Sequence, residues 1–162
     1  MATETLTSLE MTSPDQLVPP SGPMPIELQP ADAASLRSTY VRIGAPYGWT
    51  GRTQWSDEDW AEELARPGVH AWIALSDGEI AGLVELEAEP RGDVGIVVFG
   101  LVPEQIGQGL GGALLTRATE LAWELVAPGG RVWVQTSSRD HPHALPNYAS
   151  RGFTTFRSEP AA

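Results

Sequence analysis

The sequence of 162 residues contains no cysteine and no lysine. The first absence excludes disulfides, thiolate nucleophiles and cysteine-based metal sites. The three histidines do not fall near carboxylates at a spacing that favours a metal, so no metal is expected. No stretch approaches the ~18 to 20 uninterrupted apolar residues of a membrane-spanning helix. The opening MATETLTSLEMTSPDQLVPPSGPMP carries acids and prolines and lacks the basic start and apolar core of a secretory signal. Residues 1–24 are therefore expected to be a flexible leader, residues 25–162 a single domain, and the location cytoplasmic. Positive charge is also scarce. All ten basic residues are Arg, against 21 Asp and Glu, for a net charge of -11. That field disfavours nucleic acid and anionic membrane as partners. It suits a cationic amine, although acidity also simply keeps a protein soluble. Arg without Lys, with abundant Ala, Gly and Pro, points to a GC-rich bacterial coding sequence.

The informative segment is VGIVVFGLVPEQIGQGLGGALLTRATELAWELV, residues 94–126. Val94, Ile96, Val98 and Val102 alternate with Val97, Phe99 and Leu101, so both faces are apolar and the run reads as a central strand covered on both sides. Pro103 ends it. Gly107, Gly109, Gly111 and Gly112 allow a sharp backbone turn and close approach of a ligand. Leu110, Leu114, Leu115, Ala118, Leu121, Ala122 and Leu125 then fall on one stripe of a helix, whose first N–H groups lack intrahelical partners. Strand, glycine turn and helix start together make a cradle for a phosphate. Ala113 and Leu114 follow the last glycine, where a nucleotide-hydrolase loop needs Lys and then Ser or Thr. The glycine spacing does not fit a dinucleotide fingerprint either.

Ile106-Gly107-Gln108-Gly109-Leu110-Gly111 resembles the acyl-CoA pyrophosphate loop, Q/R-x-x-G-x-G/A, of the GNAT superfamily of N-acetyltransferases. Ile106 stands where Arg or Gln is usual, with Gln105 just before it. Later in the chain, residues 141–153, HPHALPNYASRGF, are similar to the family motif N-x-x-A-x-x-x-Y-x-x-x-G-F at Ala144, Tyr148, Gly152 and Phe153, with His141 at the Asn position. The resemblance covers roughly residues 25 to 158. It implies an α/β (α+β) fold with a mixed, mostly antiparallel sheet, splayed central strands and flanking helices.

A coarse reading of the elements agrees. It gives a strand at 25–28, a helix at 31–40 opened near Asp32, and a helix at 57–65 capped by Ser56. A hairpin follows, 69–75 with 79–87 about the Asp77-Gly78 turn. After the long helix come a strand at 131–136, a short helix carrying Tyr148, and a last strand from Phe153.

The resemblance further implies acetyl-CoA as co-substrate and direct attack of a primary amine on the thioester in a ternary complex. The pantetheine arm would add to the strand edge near Gly100, Leu101 and Val102, where an amide would polarise the thioester carbonyl. The pyrophosphate would meet Gln105, Ile106, Gly107, Gln108, Gly109, Leu110, Gly111 and Gly112. Tyr148 matches the family's general acid, and a core tyrosine is the competing reading. Glu85 is a candidate base and His141 its rival; a solvated strand carboxylate and a helix-start cap are the plainer alternatives. His70 and His143 receive no role. Tyr47 and Trp49 are expected to contact the acceptor, which is a small-molecule or peptide amine, and a homodimer stays open. The alternative function is a non-catalytic acyl-CoA-binding or sensing module on the same fold.

Overall fold

The computed structural model describes residues 3–161. Along them run β1 (Thr5–Met11), β2 (Glu27–Pro30), α1 (Ala33–Gly44), α2 (Asp57–Ala65), β3 (Val69–Ser76), β4 (Glu79–Ala88), β5 (Val94–Leu101), α3 (Leu110–Leu125), β6 (Val132–Ser137), α4 (Ala144–Ser150) and β7 (Thr154–Pro160). Local chemistry sets many of the boundaries. The Asp32 carboxylate accepts from the Ser35 amide at 2.8 Å and starts α1. Ser56 and Asp59 exchange side-chain-to-backbone bonds in a capping box at the start of α2. Asp77 and Gly78, both with positive φ, turn β3 into β4. No helix among the described residues is long and apolar enough to cross a membrane.

The strands form one sheet in the order β2-β3-β4-β5-β6-β1-β7. Every neighbouring pair is antiparallel except β5 and β6, so the mixed, mostly antiparallel sheet expected from the sequence is present. Helix α3 packs on one face, over Val84, Leu86, Val94, Ile96, Val132 and Val134. Helices α1 and α2 cover the other, where Leu36, Tyr40, Ile43 and Trp60 meet Ala71, Ile73, Leu83, Val98 and Val102.

Two irregularities in β5 open the sheet. Its parallel pairing with β6 runs only from Val94↔Val132 to Ile96↔Val134 and then stops. Against β4, Glu85 faces Val98 while Leu86 faces Ile96, which leaves Val97 as a bulged residue. A bulge adds one residue and bends the strand. Consequently Ile96 packs in the α3 layer but Val98, two residues on, packs in the α1/α2 layer. The simple alternation read from the sequence is broken there, and β5 and β6 splay apart just beyond it.

The expected leader requires a correction. Thr5–Met11 is a strand inserted between β6 and β7, paired from Leu6↔Ser137 to Met11↔Val132 on one side and from Thr5↔Pro160 to Glu10↔Thr154 on the other. Its partners lie more than 120 residues away in sequence, beyond what a local reading reaches. Leu9 and Met11 are 1% and 0% exposed, within the core under α3. Pro14–Gln16 adds a short 3-10 turn capped by Ser13, and the Val18 amide donates to the Arg151 carbonyl. Met1, Ala2 and Ala162, which the leader and domain bounds also include, lie outside the described residues. Removing the Leu9 side chain tests this integration. Leu9→Ala should cost about 2–5 kcal/mol of stability, as large-to-small core changes do. A urea-unfolding loss below ~0.5 kcal/mol, the size of a surface change, would place the segment outside the cooperative fold.

Candidate functional site

Where β5 leaves β6, a cavity of about 390 Å³ opens, floored by Gly100 and Leu101 and walled by the glycine turn and α4. Gly107 (φ +86°) and Gly109 (φ +78°) hold left-handed conformations, and a Cβ at either would meet nothing within 4 Å. The turn is therefore an open concave backbone surface. Gly109 starts α3 without a side-chain cap, so the first amides of a 16-residue helix face this space with the positive end of its dipole. These features fit a phosphate-bearing acyl carrier. The β5 edge beyond Ile96, unpaired with β6, fits an extended amide-bearing arm.

The expected cofactor residues divide accordingly. Leu101, Ile106, Gly107, Gly109, Gly111 and Gly112 line the cavity. Val102 does not, because its amide donates to the Ala81 carbonyl at 2.8 Å and its side chain is fully buried in the α1/α2 layer. Leu110 is buried under α3, the Gln108 side chain folds back onto the Glu104 carbonyl at 3.1 Å, and Gln105 belongs to a 3-10 turn outside the lining.

A second, more polar cavity of about 840 Å³ lies on the other side of the splay, toward the α1–α2 loop and β6. The two cavities share Tyr47, Trp49, Phe99, Asp140 and Tyr148. Both expected acceptor residues, Tyr47 and Trp49, thus stand at the junction. Trp49 is locked there. Its ring packs 5.3 Å from that of Tyr40, and its Nε1 donates to Asp140 Oδ1 at 3.1 Å. Only glycine fits at position 44, since a Cβ there would lie 2.5 Å from that of Trp49.

Tyr148 is 5% exposed and packs between Phe99 and Phe153. Burial, reinforced by the Asp140 charge, holds its phenol well above the ordinary range, so it stays protonated. Asp140 was not singled out from the sequence. It accepts from Thr136 Oγ1 at 2.8 Å and the Ser137 amide at 2.9 Å as well as from Trp49, which fixes the carboxylate at the junction. Its local signal is an acidic residue closing a turn three residues after a strand-end serine. His141 lines only the first cavity, edge-on to Tyr47, and its Nδ1 accepts the His143 amide at 3.1 Å in the turn before α4. That bond orders the turn ahead of α4, whose N-cap residue is His143.

Glu85 also differs from expectation. It is completely buried on the α1/α2 side and lines neither cavity. Both of its oxygens are taken by Arg52, at 2.8 and 3.0 Å. Arg52 also donates to Glu63 at 3.2 Å and lies over the rings of Trp55 and Trp60 at 4.5 and 5.0 Å. Arg66 continues the chain of charges from Glu63 to Glu87. Burial pushes the Glu85 carboxyl up to about 7 against the opposing pull of Arg52. A carboxylate clamped behind a guanidinium is a structural anchor and not a base open to an incoming amine. Arg52→Met, which strands two carboxylates, should destabilise by about 3–5 kcal/mol. Glu85→Gln removes one of them, keeps one of the two bonds that Glu85 accepts from Arg52, leaves Glu63 paired with Arg52 and should cost less. Because the folded chain holds the Glu85 proton more tightly than the unfolded one, the parent should lose stability relative to Glu85→Gln as pH rises from about 4.5 through about 7. Urea midpoints across that range check both expectations. Equal losses for the two variants would disprove the anchor.

Solved structures share this architecture. A GCN5-related N-acetyltransferase from Sphaerobacter thermophilus superposes with a TM-score of 0.72 at 16% identity, over 98% of this chain and 50% of that one. A GNAT-family acetyltransferase from Colwellia psychrerythraea gives 0.66 at 18% identity, over 95% and 53%. A GCN5-related N-acetyltransferase from Kribbella flavida gives 0.61 at 19% identity, over 98% and 56%. The chain spans about half the length of these structures, and at such identities the likeness is one of fold. No curated protein matches the chain. A model of the Acetyltransferase (GNAT) family does match, over residues 35–153, from α1 to the foot of β7. The chain belongs to the GNAT acetyltransferase family.

Proposed function

We propose that the chain is an acetyl-CoA-dependent N-acetyltransferase that moves an acetyl group to a primary amine by direct attack in a ternary complex. One observation carries the reading: an anion-cradling cavity and a polar, partly acidic cavity share Tyr148 and Asp140 at the splay of β5 and β6. An acyl group delivered along β5 and an amine entering past the α1–α2 loop would meet there. Proximity of this kind supplies much of the rate of a two-substrate transfer.

Asp140, at the junction, attracts the acceptor's ammonium, which gives one proton to solvent in the second cavity and so becomes nucleophilic. The free amine forms the C–N bond as the C–S bond breaks. Tyr148 gives its proton to the departing sulfur. The attacking nitrogen carries one proton too many after bond formation and returns it to the Tyr148 oxygen, so no phenolate accumulates beside Asp140. No covalent enzyme intermediate is involved, in keeping with a chain that lacks cysteine. The acceptor class is a small-molecule or peptide amine, with a cationic one favoured by the charge of the chain.

The test measures acetyl-CoA affinity and CoA release against a panel of amines. Tyr148→Phe should keep its acetyl-CoA affinity while turnover falls ~10²- to 10⁴-fold, as for a lost general acid. Gly111→Val should fold, since a Cβ there has its nearest contact at 3.5 Å, yet lose the thermal stabilisation that acetyl-CoA gives the parent. An unchanged rate in Tyr148→Phe removes that residue from the reaction. Stabilisation by acetyl-CoA without turnover of any amine would favour the binding module instead.

A further inference from the structure

The glycine turn and the first turn of α3 carry no cation of their own. From Val102 to Ala113 the only charged residue is Glu104. Arg151, at the end of α4, reaches across to this place: a Cβ on Gly112 would come within 2.8 Å of its Nη1, so glycine at 112 makes room for the guanidinium. Asn147, one turn earlier on α4, lies beside it, its Nδ2 3.5 Å from a Cβ on Gly111. Both residues line the cofactor cavity.

The electrostatics of Arg151 are unusual in this molecule. Its Nε is buried and has no hydrogen-bond partner, and no carboxylate pairs with it among the described residues. The chain has 21 acidic residues for ten arginines, so a partly buried guanidinium without an acid is not a shortage of partners. Its backbone ends α4, but its side chain carries the guanidinium away from that end to the first turn of α3, whose positive pole repels a cation. A cation, uncapped amides and two positive-φ glycines that converge on one concave surface are mutually unfavourable unless an anion joins them.

We infer that Arg151 is a phosphate ligand, which supplies from α4 the positive charge that the glycine turn lacks and fixes the phosphates of the acyl carrier on the first turn of α3. A guanidinium suits the task because its planar fork can bond two phosphate oxygens. The inference rests on the acetyl-CoA reading above and adds to it a named residue outside the turn.

Two ligands separate the possibilities: acetyl-CoA, and acetyl-pantetheine, which has the same acyl arm and no phosphate. In calorimetric titrations, Arg151→Met should weaken acetyl-CoA binding ~10-fold or more and leave acetyl-pantetheine unchanged. Its affinity for acetyl-CoA should also fall less steeply with added salt than the parent's. Arg151→Lys should retain part of the affinity, since it keeps the charge and loses the fork. The ligand-free melting temperature of Arg151→Met should hold or rise, because a repulsion is removed; a merely structural arginine would lower it. Equal losses for both ligands, or undiminished acetyl-CoA affinity, would overturn the role of Arg151. A parent that binds neither ligand would overturn the acetyl-CoA reading itself. Should Met at 151 prevent folding, Arg151→Lys decides alone: a loss confined to acetyl-CoA supports the inference, and no loss or a shared loss defeats it.

Discussion

The parting of β5 from β6 after Ile96↔Val134 is the constraint on which the rest of the molecule depends. Two adjacent parallel strands would normally continue as a buried ladder, each backbone group satisfied by its neighbour. Here the bulge at Val97 rotates β5, so that its last residues leave the ladder and change which helical layer they face. A free strand edge results in the middle of a sheet, where exposure invites pairing. The helices flanking the gap convert that liability into two cavities meeting at one point. Neither an isolated glycine turn nor an isolated Tyr148 would make a site without this split.

A buried charge network holds the other wall. Arg52 comes from the α1–α2 loop, a segment without regular structure between Gly48 and Trp55. Its bidentate bond to Glu85 ties that loop to the middle of β4, while the edge-to-face rings of Trp55 and Trp60 both pack against the guanidinium. Such a pair, once desolvated, adds little net stability over an apolar replacement of equal volume. What it provides is a defined position. With Arg52 fixed, Tyr47 and Trp49 a few residues earlier are delivered to the cavity junction, and the bond from Trp49 to Asp140 closes the loop onto the end of β6.

How much of this was legible in the sequence follows from the range of the interactions. The Ser56 cap, the Asp77-Gly78 hairpin and the strand–glycine–helix run are encoded within a few residues each, and they form where periodicity and turn chemistry put them. The β1 strand was missed because TLTSLEM has apolar residues on its core-facing side only at Leu9 and Met11, while Thr5 and Thr7 share that side. Its two neighbours are set by tertiary pairing, and the family match, which starts at Ser35, leaves it outside as well. Glu85 was misread for a related reason. Alternation places it on a strand face, but only the fold brings Arg52, 33 residues earlier, onto both oxygens. Asp140 and Arg151 are single polar residues in loops or at a helix end, and only the helices that surround them give them meaning.

The proposed reaction asks an acidic protein to hold one anionic and one cationic substrate at the same time. A net charge of -11 would repel the phosphates of an acyl carrier if the whole field acted on them, but solvent ions screen charges beyond roughly 8 Å at physiological salt. Within that distance the phosphates would meet the amides of the glycine turn, the positive end of α3 and Arg151, and among the described residues nine of the 21 acids are paired with arginines. In the proposed reaction the amine would approach through the larger cavity, where Glu4, Glu63, Glu87 and Asp140 outnumber Arg52, Arg66 and Arg139. Opposite local fields on the two sides of one strand edge would therefore sort the two proposed substrates before either reached Tyr148. The split in the sheet keeps those fields apart, and the junction is the one place where both act on the same few atoms.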